Sequence, residues 1–374
     1  MTVWDDVIGQ DAVVAELRAA VGSPSMTHAW LVTGPPGSGR SNAARAFAAA
    51  LQCDRGGCGE CTACRTSLSG AHPDVTLVRT EQLSIGVDEV RQLVRRAAMA
   101  PTLNHHQVLV VEDADRITER GANALLKAVE EPAARTVWLL CAPTADDVIT
   151  TIRSRCRQVN LVTPPDDAVA RLLVARDSVP EDTARFVARI AQGHIGRARA
   201  LARDGAAMER RRGVLALPSR LTGLAPALAA AEELVERAQA DAQAVTVPLD
   251  QRERDELDQT LAAGGRGQKV RNAAAAVKEL EEQQALRSKR FQRDGLDGAL
   301  TELTGYYRDV LVLQTEAGAP LLNSDVAQAV AATAAQTTAE ATVRRLDAIL
   351  TCREELARNV PPLLAMEALF TALV

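Results

Sequence analysis

Four cysteines within twelve residues, Cys53-x4-Cys58-x2-Cys61-x2-Cys64, are a strong metal signal in this chain. Four thiolates complete a tetrahedral Zn²⁺ shell, and Gly56, Gly57 and Gly59 permit the tight turns between ligands. With sulfur in every position no site is left for water, so the spacing predicts a structural zinc. Free thiols or a redox role is the alternative. In a reducing compartment such a cluster reads as metal before disulfide. Cys141, Cys156 and Cys352 are scattered, and the five histidines share no ligand spacing, so all five are expected to be structural or exposed.

A second constellation lies just upstream. Gly34-Pro35-Pro36-Gly37-Ser38-Gly39-Arg40-Ser41 fits the phosphate-loop frame Gly-x4-Gly-Lys-Ser/Thr at every fixed position except the lysine. The glycines Gly34, Gly37 and Gly39 let backbone N–H groups converge on a phosphate, the following helix start adds its positive end, and Ser41 would hold Mg²⁺. Arg40 stands where a compact ammonium belongs, and a planar guanidinium is not an equivalent donor in a snug nest. Farther on, the pair Glu112-Asp113 reverses the order that hydrolysis wants, Asp for the Mg²⁺ water shell and then Glu for the attacking water. Small misplacement of catalytic groups costs ~100-fold in rate, so two altered positions predict a degenerate site. ATP and Mg²⁺ are expected to bind weakly or not at all. The bland alternative is that Glu112 and Asp113 only solvate a strand end.

The elements that must position these groups are legible. Apolar residues recur at helical spacing from Asp11 to Val21, His28 to Thr33 reads as a short buried strand, and Ser41 to Gln52 as an Ala-rich helix. Val108 to Val111 is a second strand ending at Glu112-Asp113. Thr118 can cap a helix that stops near Pro132, and Val137 to Cys141 is a third strand. Strands alternating with helices predict a parallel α/β sheet over residues 1–162. Thr163-Pro164-Pro165 breaks that pattern. Ser178-Val179-Pro180-Glu181 has the spacing of a capping box, opening a short helical unit. A Gly/Pro-containing hinge from Gly213 to Pro226 then leads into an Ala-rich helical region, whose stretch 251–292 is highly charged and interrupted at Gly264-Gly265. That stretch reads as an exposed helical hairpin or partly disordered insertion, with a basic nucleic-acid arm as the alternative; its acids and bases interleave. Leu363, Met366, Leu369, Phe370 and Leu373 form a one-sided stripe, either core or a subunit-packing face.

Composition sets the outer bounds. With 374 residues, 47% hydrophobic and 24% charged, the chain supports two or three domains and is no small stapled scaffold. No stretch approaches the ~20 apolar residues of a membrane span. Only four of 43 basic residues are lysines, a skew that reads as genome composition, and the net charge of −5 argues against whole-protein steering onto a polyanion. Asp5 and Asp6 near the start disfavour a signal peptide, so a cytoplasmic location is expected.

Taken in order, the phosphate loop, the cysteine module, Gly86 to Arg91, Val110 to Arg116, Ala122 to Pro132 and Thr151 to Cys156 resemble bacterial DNA polymerase III clamp-loader subunits of the AAA+ class. The likeness is specific over residues 1 to about 205 and weaker beyond. Within the family, the altered loop and the Glu-Asp order look like the delta-prime branch, a stator that does not itself hydrolyse ATP. The resemblance implies an α/β AAA+ parallel-sheet phosphate-loop domain with a zinc module (1–162), a small helical lid (163–212) and an all-α collar (213–374) carrying the charged insertion. Asn359 to Glu367 looks like the last collar helix. It also implies partners: delta and gamma/tau type subunits in a five-subunit open ring, the sliding clamp, and primer-template DNA through the complex, at the nucleoid and with no membrane. Ser154-Arg155-Cys156 matches the signature whose arginine reaches a neighbour's ATP, so Arg155 is the expected finger in trans. Gly193 to Arg197 resembles the lid segment whose arginine, here Arg197, senses nucleotide in cis. Two departures stand out: Cys141 to Thr144 lacks a clear polar sensor, and the insertion has no counterpart. An ATP-hydrolysing motor subunit with Arg40 in the lysine's role is the competing expectation. A zinc-containing DNA-binding regulator is disfavoured, because the cysteines sit inside the α/β domain without a basic recognition helix.

Overall fold

A computed structural model describes residues 2–374 except 24–25, 81–83, 104 and 264–268, and gives no side-chain placement for 260–273. The chain divides into two compact units, Met1–Arg203 and Asp204–Val374.

The first unit is built on five parallel strands: β1 (Ala29–Thr33), β2 (Val75–Val78), β3 (Gln107–Val111), β4 (Thr136–Ala142) and β5 (Arg157–Asn160). Their order across the sheet is β2-β3-β4-β1-β5. Three were legible as apolar runs, whereas β2 and β5 were not: β5 reads Arg-Gln-Val-Asn and buries only Val159. Pairing with β1, with Trp30 opposite Arg157 and Thr33 opposite Asn160, makes it a strand.

Alternation along the strands sends Trp30, Val32, Leu139 and Cys141 into one core and Ala29, Leu31, Trp138 and Leu140 into the other. The first core is roofed by α1 (Asp11–Ala20) and α2 (Arg40–Leu51), where Trp30 meets Phe47 edge-to-face at 5.1 Å. Small alanines on α2, from Ala43 to Ala50, let that helix lie close on the sheet. A short helix, α3 (Thr62–Ser69), follows the cysteine loop. The second core is covered by α4 (Val87–Ala97) and α5 (Glu119–Glu130). Thr118 caps α5 as expected, accepting from Gly121 N at 3.2 Å. One helical turn, α6 (Thr150–Arg153), joins β4 to β5. Three lid helices complete the unit: α7 (Asp166–Asp177), α8 (Glu181–Ala191) and α9 (Ile195–Arg203).

The expected capping box at Ser178 is not formed. Ser178 adopts φ +53° and closes α7, leaving Pro180 as the N-cap of α8. A serine spent on ending one helix does not cap the next.

The second unit contains α10 (Gly205–Arg220), α11 (Leu224–Ala263), α12 (Lys269–Gln314), α13 (Ala327–Gln336), α14 (Ala339–Ala357) and α15 (Pro362–Leu373). Residues 212 and 213, where the sequence places a boundary, lie within α10, and the expected hinge reduces to residues 221–223. Met366, Leu369, Phe370 and Leu373 enter this unit's core, while Leu363 remains 40% exposed. Arg211 is buried among acids, bonded to Asp325 at 2.5 Å and to Asn323 Oδ1 at 2.8 Å. Through the charged insertion α11 and α12 continue as helices, and Arg287 bonds Asp250 and Glu253 while Gln284 bonds Arg254. These interleaved charges pair with each other. Gly264-Gly265 lies outside the described residues. Among the described residues no helix is long and apolar enough to cross a membrane.

Candidate functional site

Both loops singled out by the sequence flank α2, one at each end. The phosphate loop leaves the C-terminal end of β1, where parallel sheets place their ligand crevices. Gly34, Gly37 and Gly39 have φ of +153°, +81° and +95°, so the backbone takes conformations that side chains oppose. Gly39 is the N-cap of α2, which puts Arg40 and Ser41 in its first turn.

The charged groups do not face an open cradle. Arg40 is half-buried, and its Nη1 donates back to the carbonyl of Gly34 in the same loop. Burial lowers its pKa, while Cys141, Asp115, Asp113 and Asp147 favour the cation. Glu112, at the end of β3, accepts from Arg45 Nε on α2 at 2.5 Å, with the Glu112 side chain only 7% exposed. Asp113 lies beside Arg116 at 3.7 Å. Near the end of β4, Cys141 is fully buried, and burial pushes its thiol up to about 12, so it is neutral and apolar in character. Ser38 Oγ is buried with no hydrogen-bond partner.

The lid closes on this loop. A Cβ on Gly37 would overlap the ring and backbone of His194. Nδ1 of His194 accepts from Arg197 N at 3.2 Å, and burial, with Arg197 and Arg40 nearby, lowers its pKa. Thus Gly34, Gly37, Gly39, Arg40, Ser41, Glu112, Asp113 and the segment bearing Arg197 collect around one carboxyl edge. His194, Arg45 and Gln10 were missed by sequence reasoning. Gln10 donates to Ser38 O at 3.4 Å and to Val162 O at 2.6 Å. A histidine between two glycines was the available signal for His194; Arg45 and Gln10 carried none.

At the other end of α2 all four predicted ligands converge. The sulfurs of Cys53, Cys58, Cys61 and Cys64 lie within 4.8 Å of one another, with Cys53 at 3.7 Å from both Cys58 and Cys61. A tetrahedron of sulfurs about 2.3 Å from a central ion has edges of about 3.8 Å, whereas a disulfide needs about 2.05 Å, so the donor set fits a four-coordinate soft metal. Gly56 and Gly57, at φ +64° and +98°, make the turn, and Cys61 caps α3. N–H groups of Cys61 and Glu60 draw the Cys58 thiol down to about 6, towards the thiolate that a metal needs.

Arg155 stands apart from both loops, on the exposed turn after α6. Its guanidinium donates to Thr151 O at 2.7 Å and to Ser154 Oγ at 3.2 Å, and it pairs with Glu130 at the end of α5.

Residues 9–165 match the family model described as DNA polymerase III, delta subunit. This segment belongs to that family. Relatives of two clamp-loader subunit types match the chain. DNA polymerase III subunit gamma/tau of Mycobacterium tuberculosis is 33% identical over 227 residues, 52% of this chain and 39% of that protein. Subunit delta' of Pseudomonas aeruginosa is 37% identical over 169 residues, covering 44% of this chain and 51% of that protein. For delta' of Escherichia coli the figures are 32% over 197 residues, 51% and 58%. The matched part thus spans between about two fifths and three fifths of these clamp-loader subunits.

Proposed function

We propose that this chain is a non-hydrolysing stator of a replicative clamp loader, in which an ATP-driven ring of delta and gamma/tau type subunits places a sliding clamp on primer-template DNA. One observation carries the reading: the charged groups that would serve ATP are engaged within the chain. Arg40 is turned onto Gly34 O, and Glu112 is held by Arg45. One N–H of the guanidinium is given to the loop's own carbonyl, and no compact ammonium stands in the loop to follow a transferred phosphoryl group. ATP and Mg²⁺ are weak or absent ligands in this reading.

Arg155 is then the subunit's contribution to chemistry, as a finger offered to a neighbour's nucleotide; its exposure supports that role, which requires it to exchange its pairing with Glu130 for the phosphates. The first unit supplies the AAA+ domain and lid, and the helical second unit the collar. Zinc held by Cys53, Cys58, Cys61 and Cys64 would supply a rigid cross-link and no open coordination site. The setting is the cytoplasmic replisome at the nucleoid.

A motor subunit is the competing reading, favoured by the intact glycine frame and Ser41. ATP turnover decides between them. The purified chain is expected to show none, and Ser41→Ala is expected to leave turnover of the assembled complex unchanged. A clear loss of the complex's turnover from that substitution establishes the motor.

A further inference from the structure

The N-terminal segment is a partly buried strap whose two ends are held by different parts of the first unit. Val3, Trp4, Val7 and Gln10 are each 5% exposed or less. At its start the strap is held by the cysteine loop: Val3 N donates to Gly57 O at 3.1 Å and Trp4 Nε1 to Gly56 O at 3.1 Å. A Cβ on Gly57 would lie 2.6 Å from Val3 Cγ2, so loop backbone and strap are in direct contact. Cys53 and Cys58 bracket the turn that presents these two carbonyls.

At its far end the strap holds the lid. Gln10 Nε2 donates to Val162 O at 2.6 Å, and Val162 N donates back to Gln10 Oε1 at 3.1 Å. A Cβ on Gly9 would lie 2.9 Å from Pro165 Cδ, and between the two ends Asp6 pairs with Arg176 on α7. The linker passes the contact on. Gly193 abuts Thr163 and Pro164, and the next residue, His194, covers Gly37 of the phosphate loop. An unbroken series of contacts therefore runs from the four sulfurs to the lid and back to the phosphate loop.

We propose that the four-cysteine centre is the anchor of this strap, so that the bound metal fixes the lid helices over the phosphate loop. The proposal rests on the reading that these thiolates hold zinc. A tetrathiolate ion sets the turn between Cys53 and Cys58, hence the directions of the Gly56 and Gly57 carbonyls. Without the ion nothing cross-links the four sulfurs at this spacing, and the turn that receives Val3 and Trp4 loses its definition. The metal centre thus acts at a distance, by keeping the lid in one position.

Hydrogen exchange of the full chain, with zinc content measured in parallel, tests this. One zinc released together with four newly reactive thiols is the expected starting point; a chain that holds no zinc overturns the metal reading and the anchor together. With zinc established, chelation is expected to speed exchange several-fold in residues 53–64, in 2–10 and in 163–203. Trp4→Phe, which removes the bond to Gly56 O and trims a buried ring while leaving the four cysteines untouched, is expected to retain zinc and to speed exchange in 2–10 and 163–203 alone. Faster exchange confined to 53–64 after chelation, with the lid unchanged in Trp4→Phe, overturns the anchor and leaves the metal reading standing. If chelation unfolds the whole unit, Trp4→Phe decides by itself.

Discussion

The cysteine loop and the phosphate loop are the two ends of one helix, α2, and their motifs have opposite outcomes. At Cys53 the four groups that the spacing points to converge within 4.8 Å of one another, with Cys53 at about the edge length of a metal tetrahedron from both Cys58 and Cys61. At Arg40 the backbone half of the motif is intact, with left-handed glycines and an N-cap at Gly39, while the charged half is turned inward. The difference teaches that a loop's conformation and its chemistry are separable. Glycines buy the turn, and ionisable side chains do with it what the neighbouring charges allow.

The largest expected effect is on the metal end. Four-thiolate zinc is worth on the order of 10 kcal/mol in small modules, so Cys64→Ser is expected to release the ion and loosen residues 53–64, read by metal analysis and proteolysis. Retention of one tightly held zinc by that variant breaks the contrast between the two loops.

Next comes Arg155. Fingers are worth ~10³–10⁵ in rate at a single site, but a ring with several ATP sites loses only one, so Arg155→Ala is expected to reduce the complex's DNA- and clamp-stimulated ATPase partially. The same variant keeps its zinc and its place in the assembly. Arg155→Lys restores little, because an ammonium lacks the fork. Turnover at the unmodified rate makes Arg155 a structural partner of Glu130.

A smaller effect sharpens the phosphate-loop side. Arg45→Ala leaves the 7%-exposed Glu112 without its guanidinium, at a cost of about 1–3 kcal/mol by denaturant unfolding, with no gain of ATP turnover. If turnover appears, the pair was suppressing a competent site.

The smallest effect is on pH. Burial lowers the pKa of His72 and His194, and each accepts a backbone N–H at Nδ1, from Asp74 at 3.1 Å and from Arg197 at 3.2 Å. Above the ordinary histidine value of 6.5 both states are neutral and this stability is fully present. Below it the unfolded chain takes up protons that the folded chain refuses, so stability falls until the lowered folded values are passed. Melting temperature should decline from pH 7 to 5, and less in His194→Asn; an equal decline removes His194 from the account.

The amino-acid sequence by itself determined the local pieces: three of five strands, the glycine frame, the cap at Thr118 and the ligand quartet. Each depends on neighbours within a few residues, where periodicity, turn chemistry and spacing act directly. It did not reveal β5, because Arg-Gln-Val-Asn becomes a strand only by pairing with β1. Nor did it reveal that Ser178 ends a helix instead of starting one. Tertiary structure alone decided where the charges went: Arg40 to Gly34, Arg45 to Glu112, Arg155 to Glu130, and His194 onto Gly37. The physical reason is reach. A long guanidinium selects its partner from everything the fold brings near it, and that set exists only once strands and helices distant in the chain have packed.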